Sequence, residues 1–172
     1  MPLSPNSPPR TPARLSPHFT LAQLTHSDIA AKHGINNQPS PDHLANLRRL
    51  ALLLESIQTL LQHPITISSA YRNPEINRLV GGVPTSRHAL GLAADLVCPG
   101  FGTPLDVARA IAASGIGLDQ VIHEYGRWVH VGLAAEGAVV RGQQLTICTS
   151  EQGYLDGLLP CASVTSHPDT KG

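Results

Sequence analysis

Three residues of the chain, His88, Asp95 and His130, are of the types that can bind zinc in proteins. His88 and Asp95 lie in the segment PTSRHALGLAADLV, residues 84–97, and His130 lies in EYGRWVHVG, residues 124–132. Catalytic zinc sites use three imidazole or carboxylate ligands and leave the fourth tetrahedral position to water. We therefore predict that these three residues form one zinc site.

Small residues surround the first two ligands. We expect the chain to turn back between them at Gly91, because glycine has no Cβ and tolerates unusual backbone angles. Ala93 and Ala94 keep the strand that carries Asp95 slim beside a metal. Ser86, two residues before His88, can hydrogen-bond a ligand or a substrate and so orient it.

The elements that must position these residues can be read from the hydrophobic pattern. The clearest helix covers residues 40–63, with Ser40 as its N-cap, Pro41 in its first turn and leucines at three- and four-residue steps. Short helices are expected in residues 20–34, 73–82 and 104–115, and strands in residues 64–72, 92–97 and 143–149. Residues 118–134 are expected to form two strands around a tight turn at Gly126 and Arg127. This order predicts an α+β fold with a small central antiparallel sheet flanked by helices.

Composition excludes several classes of partner. The chain has 172 residues, with 12 basic and 12 acidic side chains and 3% aromatic residues. Zero net charge gives no electrostatic case for binding nucleic acid or an anionic membrane, and few aromatics are available to stack on bases. No apolar run reaches the length of a membrane span. We expect a monomer that binds neither nucleic acid nor membrane.

The ends of the chain differ from its centre. Residues 1–17 are rich in proline and residues 162–172 are polar, so we predict two disordered tails around one domain at 18–161. The N-terminus has no apolar core of a signal peptide, which predicts synthesis in the cytoplasm without one. The odd count of three cysteines suits a reducing compartment, although a bridge between Cys148 and Cys161 is possible.

Two longer stretches resemble a known family. SSAYRNPEINRLVGGVPTSRHALGLAADL, residues 68–96, and LDQVIHEYGRWVHVG, residues 118–132, are similar to zinc D-Ala-D-Ala carboxypeptidases and peptidoglycan endopeptidases, above all to the phage and prophage branch. The resemblance covers about residues 19–160. It implies the hedgehog/DD-peptidase-like fold, one Zn²⁺ per chain held by the three residues named above, and peptidoglycan peptides as partners.

The resemblance also implies roles for other residues. Arg72 matches an arginine that contacts the substrate carbonyl or the negative charge of the intermediate, and a guanidinium suits this because it stays charged and donates in a fork. Ser86 matches a serine that hydrogen-bonds in the substrate pocket. We expect Trp128 to form part of the pocket wall.

The sequence identifies the general base less directly than it identifies the predicted metal ligands. Some family members place an acid three residues before the last histidine, where this chain has Arg127, which cannot accept a proton. We therefore predict Glu124 as the base, with His123 as the rival and Asp119 as a third choice. A two-residue turn would place His123 opposite His130, whereas a three-residue loop through Trp128 would pair Glu124 with His130 on one face.

The predicted function is zinc-dependent hydrolysis of peptide bonds in peptidoglycan stem peptides or cross-links, by a D,D-carboxypeptidase or an endopeptidase. A chain without a leader would act on the wall after release or delivery, as phage and prophage enzymes do. The alternatives are a non-catalytic module that holds zinc and binds wall peptides, a phage tail or structural component, and a signalling domain of the hedgehog type. Glu124→Gln separates an enzyme from a binding module, because only an enzyme loses turnover while keeping zinc.

Overall fold

The computed structural model describes residues 13–161. Its helices are α1 (Leu21–Leu24), α2 (Asp28–His33), α3 (Pro41–Leu61), α4 (Pro74–Leu79) and α5 (Pro104–Ala113), with a 3₁₀ helix at Arg87–Leu90. The strands are β1 (Thr66–Ser69), β2 (Ala93–Val97), β3 (Gln120–Glu124), β4 (Trp128–Gly132), β5 (Gln143–Ile147) and β6 (Leu155–Asp156). The predicted α+β class is confirmed. The 3₁₀ helix and β6 were not predicted from the sequence.

The longest helix, α3, begins and packs as its pattern predicts. The Ser40 hydroxyl accepts a hydrogen bond from the backbone N–H of His43, and Pro41 occupies the first turn, where no N–H is needed. One face of the helix is fully buried, including Leu47, Leu50 and Leu54. Tertiary packing of this apolar face holds the helix in place.

The six strands form one mixed sheet in the order β1-β2-β4-β3-β5-β6. All neighbouring pairs are antiparallel except β3 and β5, which run parallel. The sheet that was expected to be antiparallel is therefore a mixed sheet, because of this one pair. The physical reason is the connection of residues 133–142, which returns from the end of β4 to the far edge of β3, so that β5 has the direction of β3.

The two faces of the sheet have different tasks, because side chains alternate along a strand. One face carries Val121, Val129 and Val131, which pack in the main core with α3 and α5. The other face carries the alternate residues of the same strands, among them Asp95 and His130. The helices thus stabilise the sheet from one side and leave the opposite face available for a site.

The ends of the described chain are both attached to the fold. Leu15 packs against the main core, and Ser16 Oγ donates a hydrogen bond to Glu55 Oε1 at 2.7 Å, so ordered contacts begin before the predicted domain boundary at residue 18. At the other end Cys148 and Cys161 form a disulfide, while Cys98 is a buried free thiol. The rest of the predicted tails, residues 1–12 and 162–172, lies outside the described residues. Within residues 13–161, none of the helices has the length and apolar character needed to cross a membrane.

Candidate active site

The predicted metal ligands come from two strands and the 3₁₀ helix. Asp95 in β2 and His130 in β4 are directly opposite each other in the sheet, and His88 lies in the 3₁₀ helix that precedes β2. The helix ends at Gly91, whose φ of 71° lies in the left-handed region. A Cβ at Gly91 would lie 2.9 Å from the backbone oxygen of His43, so a side chain fits neither the backbone angle nor the space. The expected turn at this glycine is therefore present.

The three side chains converge on one point. His88 Nε2 lies 3.1 Å from His130 Nδ1 and 3.2 Å from Asp95 Oδ1, and His130 Nδ1 lies 2.9 Å from Asp95 Oδ1. Donor atoms held about 2.0–2.1 Å from a tetrahedral zinc ion lie roughly 3.3 Å apart. The donor types and their separations therefore fit a tetrahedral metal ion with one position left open.

The surroundings of the ligands favour the form that binds a metal. His88 Nδ1 lies 2.7 Å from the backbone oxygen of Ala70, so an N–H there donates to this oxygen and leaves the Nε2 lone pair free for a metal. Burial alone would raise the pKa of Asp95, but its contacts with His88 and His130 lower this pKa below its usual range. The carboxylate is thus ionised, as a metal ligand must be.

Glu124 lies on the same face of the sheet, although in a register that differs from both expected ones. The structure pairs Glu124 with Trp128 and Ile122 with His130, so the expected pairing of Glu124 with His130 is wrong. The turn consists of Tyr125, Gly126 and Arg127, with positive φ at the first two, and this places Trp128 in the strand instead of the loop. Because residues two apart share a face, Glu124 still faces the same side as His130.

The carboxylate of Glu124 is held in place and is partly shielded from water. Trp128 Nε1 donates a hydrogen bond of 2.9 Å to Glu124 Oε2. Burial raises the pKa of Glu124, and the charge on Asp95 raises it further, while His130, the indole N–H and Arg72 act in the opposite direction. A raised carboxyl pKa suits a group that both takes and returns a proton.

The two rival bases lie elsewhere. His123 faces the opposite side of β3, is buried, and contacts the backbone oxygen of Leu159 through Nδ1 at 2.9 Å. Asp119 has both carboxylate oxygens engaged by Arg141, and Arg87 contacts one of them as well. Neither group is directed to the three ligands, so the geometry favours Glu124 alone.

Arg72 and Ser86 line the same cleft as the ligands. Burial lowers the pKa of Arg72, and the charges on Asp95 and Glu124 counteract this. Arg72 Nη1 reaches Ser69 Oγ at 3.4 Å, and its buried Nε has no hydrogen-bond partner among residues 13–161. The Ser86 hydroxyl makes no capping hydrogen bond to the 3₁₀ helix. Both side chains therefore retain donors that a substrate can use.

Sequence reasoning did not find the far wall of the cleft. The cleft has a volume of about 1060 Å³, and its lining includes Arg141, Gln143, Tyr154 and Asp156 in addition to the predicted residues. These four residues belong to β5, β6 and the loops before them, and they follow no ligand spacing or motif. The sequence predicted a strand in residues 143–149 but did not show which strand it joins.

Comparison with known proteins agrees with this geometry. The family model of peptidase M15 matches residues 17–132, which include the three ligands as well as Arg72, Ser86, Glu124 and Trp128. No curated protein sequence matches the chain at a significant level. The matched segment is more than half of the chain and contains all three residues of the His88, Asp95 and His130 cluster. The chain therefore belongs to the M15 peptidases, the zinc-dependent family of D-Ala-D-Ala carboxypeptidase-like enzymes.

Proposed function

We propose that the protein hydrolyses peptide bonds in the stem peptides or cross-links of bacterial peptidoglycan, as a D,D-carboxypeptidase or an endopeptidase. The single observation that carries this proposal is the shared cleft, in which the cluster of His88, Asp95 and His130 lies on the same face as a shielded carboxylate, Glu124. The motifs around these residues resemble those of enzymes that act on the wall. A cleft of this volume suits an oligopeptide better than a single amino acid.

The cluster would hold one zinc ion, which supplies Lewis-acid polarisation of the scissile carbonyl and promotes ionisation of water. Glu124 accepts a proton from the attacking water and donates it to the leaving amine, so that the peptide becomes a carboxylate and an amine. Arg72 donates to the carbonyl oxygen as negative charge develops there. Ser86 orients the peptide, and Trp128 orients Glu124.

The proposed place of action is the cell wall, reached after release or delivery as in phage and prophage enzymes. The Cys148–Cys161 disulfide supports a final environment that is oxidising, because disulfides persist outside reducing compartments. This weighs against the inference of a reducing environment that the odd cysteine count favoured.

The test combines purified peptidoglycan with the zinc-loaded protein and measures new amino groups and the masses of released fragments. We expect release that a chelator abolishes and added zinc restores. Glu124→Gln should keep one zinc per chain and lower kcat by about 10²- to 10⁴-fold. Glu136→Gln is the matched control, because this exposed glutamate lies outside the cleft.

Two results would contradict the proposal in different ways. Equal release by Glu124→Gln and the native chain would remove Glu124 from its assigned role. Bound zinc without release of any amino group from walls of several cross-link types would instead favour a module that only binds wall peptides.

A further inference from the structure

A second group of charges lies in the same cleft, around the buried Asp119. This carboxylate, only 1% exposed, receives Arg141 Nε at 3.1 Å and Arg141 Nη2 at 2.6 Å, and Arg87 Nη2 at 2.7 Å. Arg141 alone forms a complete two-pronged pair with Asp119. Arg87 therefore brings a second positive charge to a single negative one, and neither arginine has another acidic partner within residues 13–161.

The arginine pair lies beside the predicted metal ligands. Gly132 is two residues from His130 on the same face of β4, and a Cβ there would lie 3.4 Å from Arg87 Cδ and 3.7 Å from His130 Nε2. Glycine thus lets the arginine stem pass directly over the strand next to the ligand. Residues two apart in a strand are about 6.6 Å apart, so the Arg87 stem passes β4 about that far along the strand from His130.

The two guanidinium groups are fixed but accessible. Arg87 Nη1 donates to the backbone oxygen of Leu133 at 3.0 Å, so this side chain is held at two points. The Arg141 side chain is 49% exposed and the Arg87 side chain is 25% exposed, and both line the cleft. A group that is already oriented loses little freedom when it binds a ligand.

The other charges that line the cleft do not neutralise this pair. The acids on the cleft wall are Asp95, Glu124 and Asp156. Asp95 contacts the histidines, Glu124 contacts Trp128, and Asp156 pairs with Leu145 in the sheet, without a salt bridge to either arginine in the described part of the chain. The two arginines thus carry one positive charge more than Asp119 neutralises, on side chains that line the cleft.

We propose that Arg87 and Arg141 form a subsite for an ionised carboxylate of the peptide substrate, close to the bond that is cut. This inference rests on the proposed peptidase function and adds the feature of the substrate that the enzyme recognises. The carboxylate is either the free C-terminus of the peptide or a carboxylate of an acidic residue within it. Arg87 lies within the residues that the family model matches, and Arg141 lies beyond them.

The experiment uses the zinc-loaded full chain and two pairs of synthetic peptides. The first pair is an acetylated Lys-D-Ala-D-Ala tripeptide with a free C-terminus and its C-terminal amide. The second pair is an acetylated, C-terminally amidated stem tetrapeptide with D-glutamate and the same peptide with D-isoglutamine. In one of the two pairs, we expect the native chain to cleave the peptide with the carboxylate with a kcat/KM about tenfold or more above that of its neutral counterpart. The pair that shows this preference identifies whether the recognised carboxylate is the C-terminus or an acidic residue.

Variants at Arg141 test the assignment to this pair of arginines. Arg141→Gln should remove most of the preference, because kcat/KM should fall more for the peptide with the carboxylate than for its neutral counterpart. Arg141→Glu should invert the preference, and Arg141→Lys should retain an intermediate one because it keeps the charge without the fork. Arg48→Gln, which removes an exposed arginine of α3 outside the cleft, should behave as the native chain.

The outcomes separate this inference from the proposed function. An undiminished preference in Arg141→Gln, or no preference for a carboxylate in the native chain, would overturn the subsite. If no peptide is cut, calorimetry with zinc-loaded Glu124→Gln protein measures binding of the same pairs, and binding that is insensitive to charge or to Arg141 overturns it equally. Release of amino groups from whole peptidoglycan judges the peptidase function independently.

Discussion

The two sides of the cleft differ in how closely their residues lie along the chain. The metal side consists of the 3₁₀ helix, β2 and β4, and its ligands His88 and Asp95 are seven residues apart. The far side consists of β5, β6 and the loops before them, with Arg141, Tyr154 and Asp156 scattered along it. The family model matches the whole metal side but ends at residue 132, before β5 begins.

This difference follows from what each side has to do. A metal site needs donor atoms about 3 Å apart with their hydrogen-bond partners fixed, so the residue types and spacings allow few alternatives. A wall that contacts substrate needs only suitable side chains at the cleft, and many backbone routes can supply them. Metal-binding residues therefore lie in short motifs, whereas residues that contact the substrate can be spread along the chain.

The largest effect is expected from loss of a ligand on the metal side. His88→Ala leaves two of the three donor atoms. Mutation of a residue that only hydrogen-bonds a metal ligand typically lowers metal affinity by about 10- to 100-fold, so loss of a ligand itself should lower zinc affinity by more than about 100-fold. Zinc content after dialysis, measured by elemental analysis, and release of amino groups from peptidoglycan should both fall to background.

His33→Ala is the matched control, since this histidine is exposed at the end of α2. It should keep one zinc per chain and full activity. Retention of stoichiometric, tightly bound zinc by His88→Ala would contradict the assignment of the metal side.

A smaller effect is expected from opening the disulfide on the far side. Cys148 and Cys161 are 13 residues apart, and a crosslink that closes a loop of this length contributes about 3 kcal/mol to the free energy of unfolding. Cys148→Ser/Cys161→Ser should lose about this amount in urea denaturation. The loop between them carries Tyr154 and Asp156, so KM should rise while kcat and zinc content stay close to those of the native chain.

The native chain under reducing conditions should match the double variant, and the double variant should not respond to reductant. A loss of zinc from the double variant as large as that from His88→Ala would contradict the conclusion that the two sides of the cleft act separately. A change in unfolding free energy below about 0.5 kcal/mol would show that the loop is held by its other contacts.

Sequence reasoning succeeded where local spacing decides the structure. The capped start of α3, the turn at Gly91 and the convergence of His88, Asp95 and His130 follow from residue types within short segments. The placement of Glu124 was harder, because one residue in the length of a hairpin loop changes every pairing. Its face was predicted correctly while its partner, Trp128, was not.

Features that depend on distant segments could not be derived in this way. The parallel pairing of β3 with β5 depends on the route of residues 133–142, and nothing in that segment specifies which strand edge it reaches. The two arginines around Asp119 are 54 residues apart in the chain and meet only because of that route. Such contacts become visible only in the folded structure.

The smallest effect tests how Trp128 acts on the metal side. Its indole N–H donates to Glu124, and Trp128→Phe removes this donor while retaining an aromatic ring. We expect kcat to fall by about tenfold with unchanged zinc content, because a hydrogen bond to a charged group is lost. The donor lowers the pKa of Glu124, so its removal should move the acidic limb of the pH–rate profile to higher pH.

If Trp128 acts by orienting Glu124, the effects of substitutions at Trp128 and Glu124 should be strongly coupled. In a double-mutant cycle, Trp128→Phe should slow the native chain but have little further effect on Glu124→Gln, because the group that it orients has already lost its charge. Additive losses, with no movement of the acidic limb, would mean that Trp128 serves only as cleft wall. Since both residues lie on adjacent strands at the same level of the sheet, coupling would also show that the hairpin register positions the base.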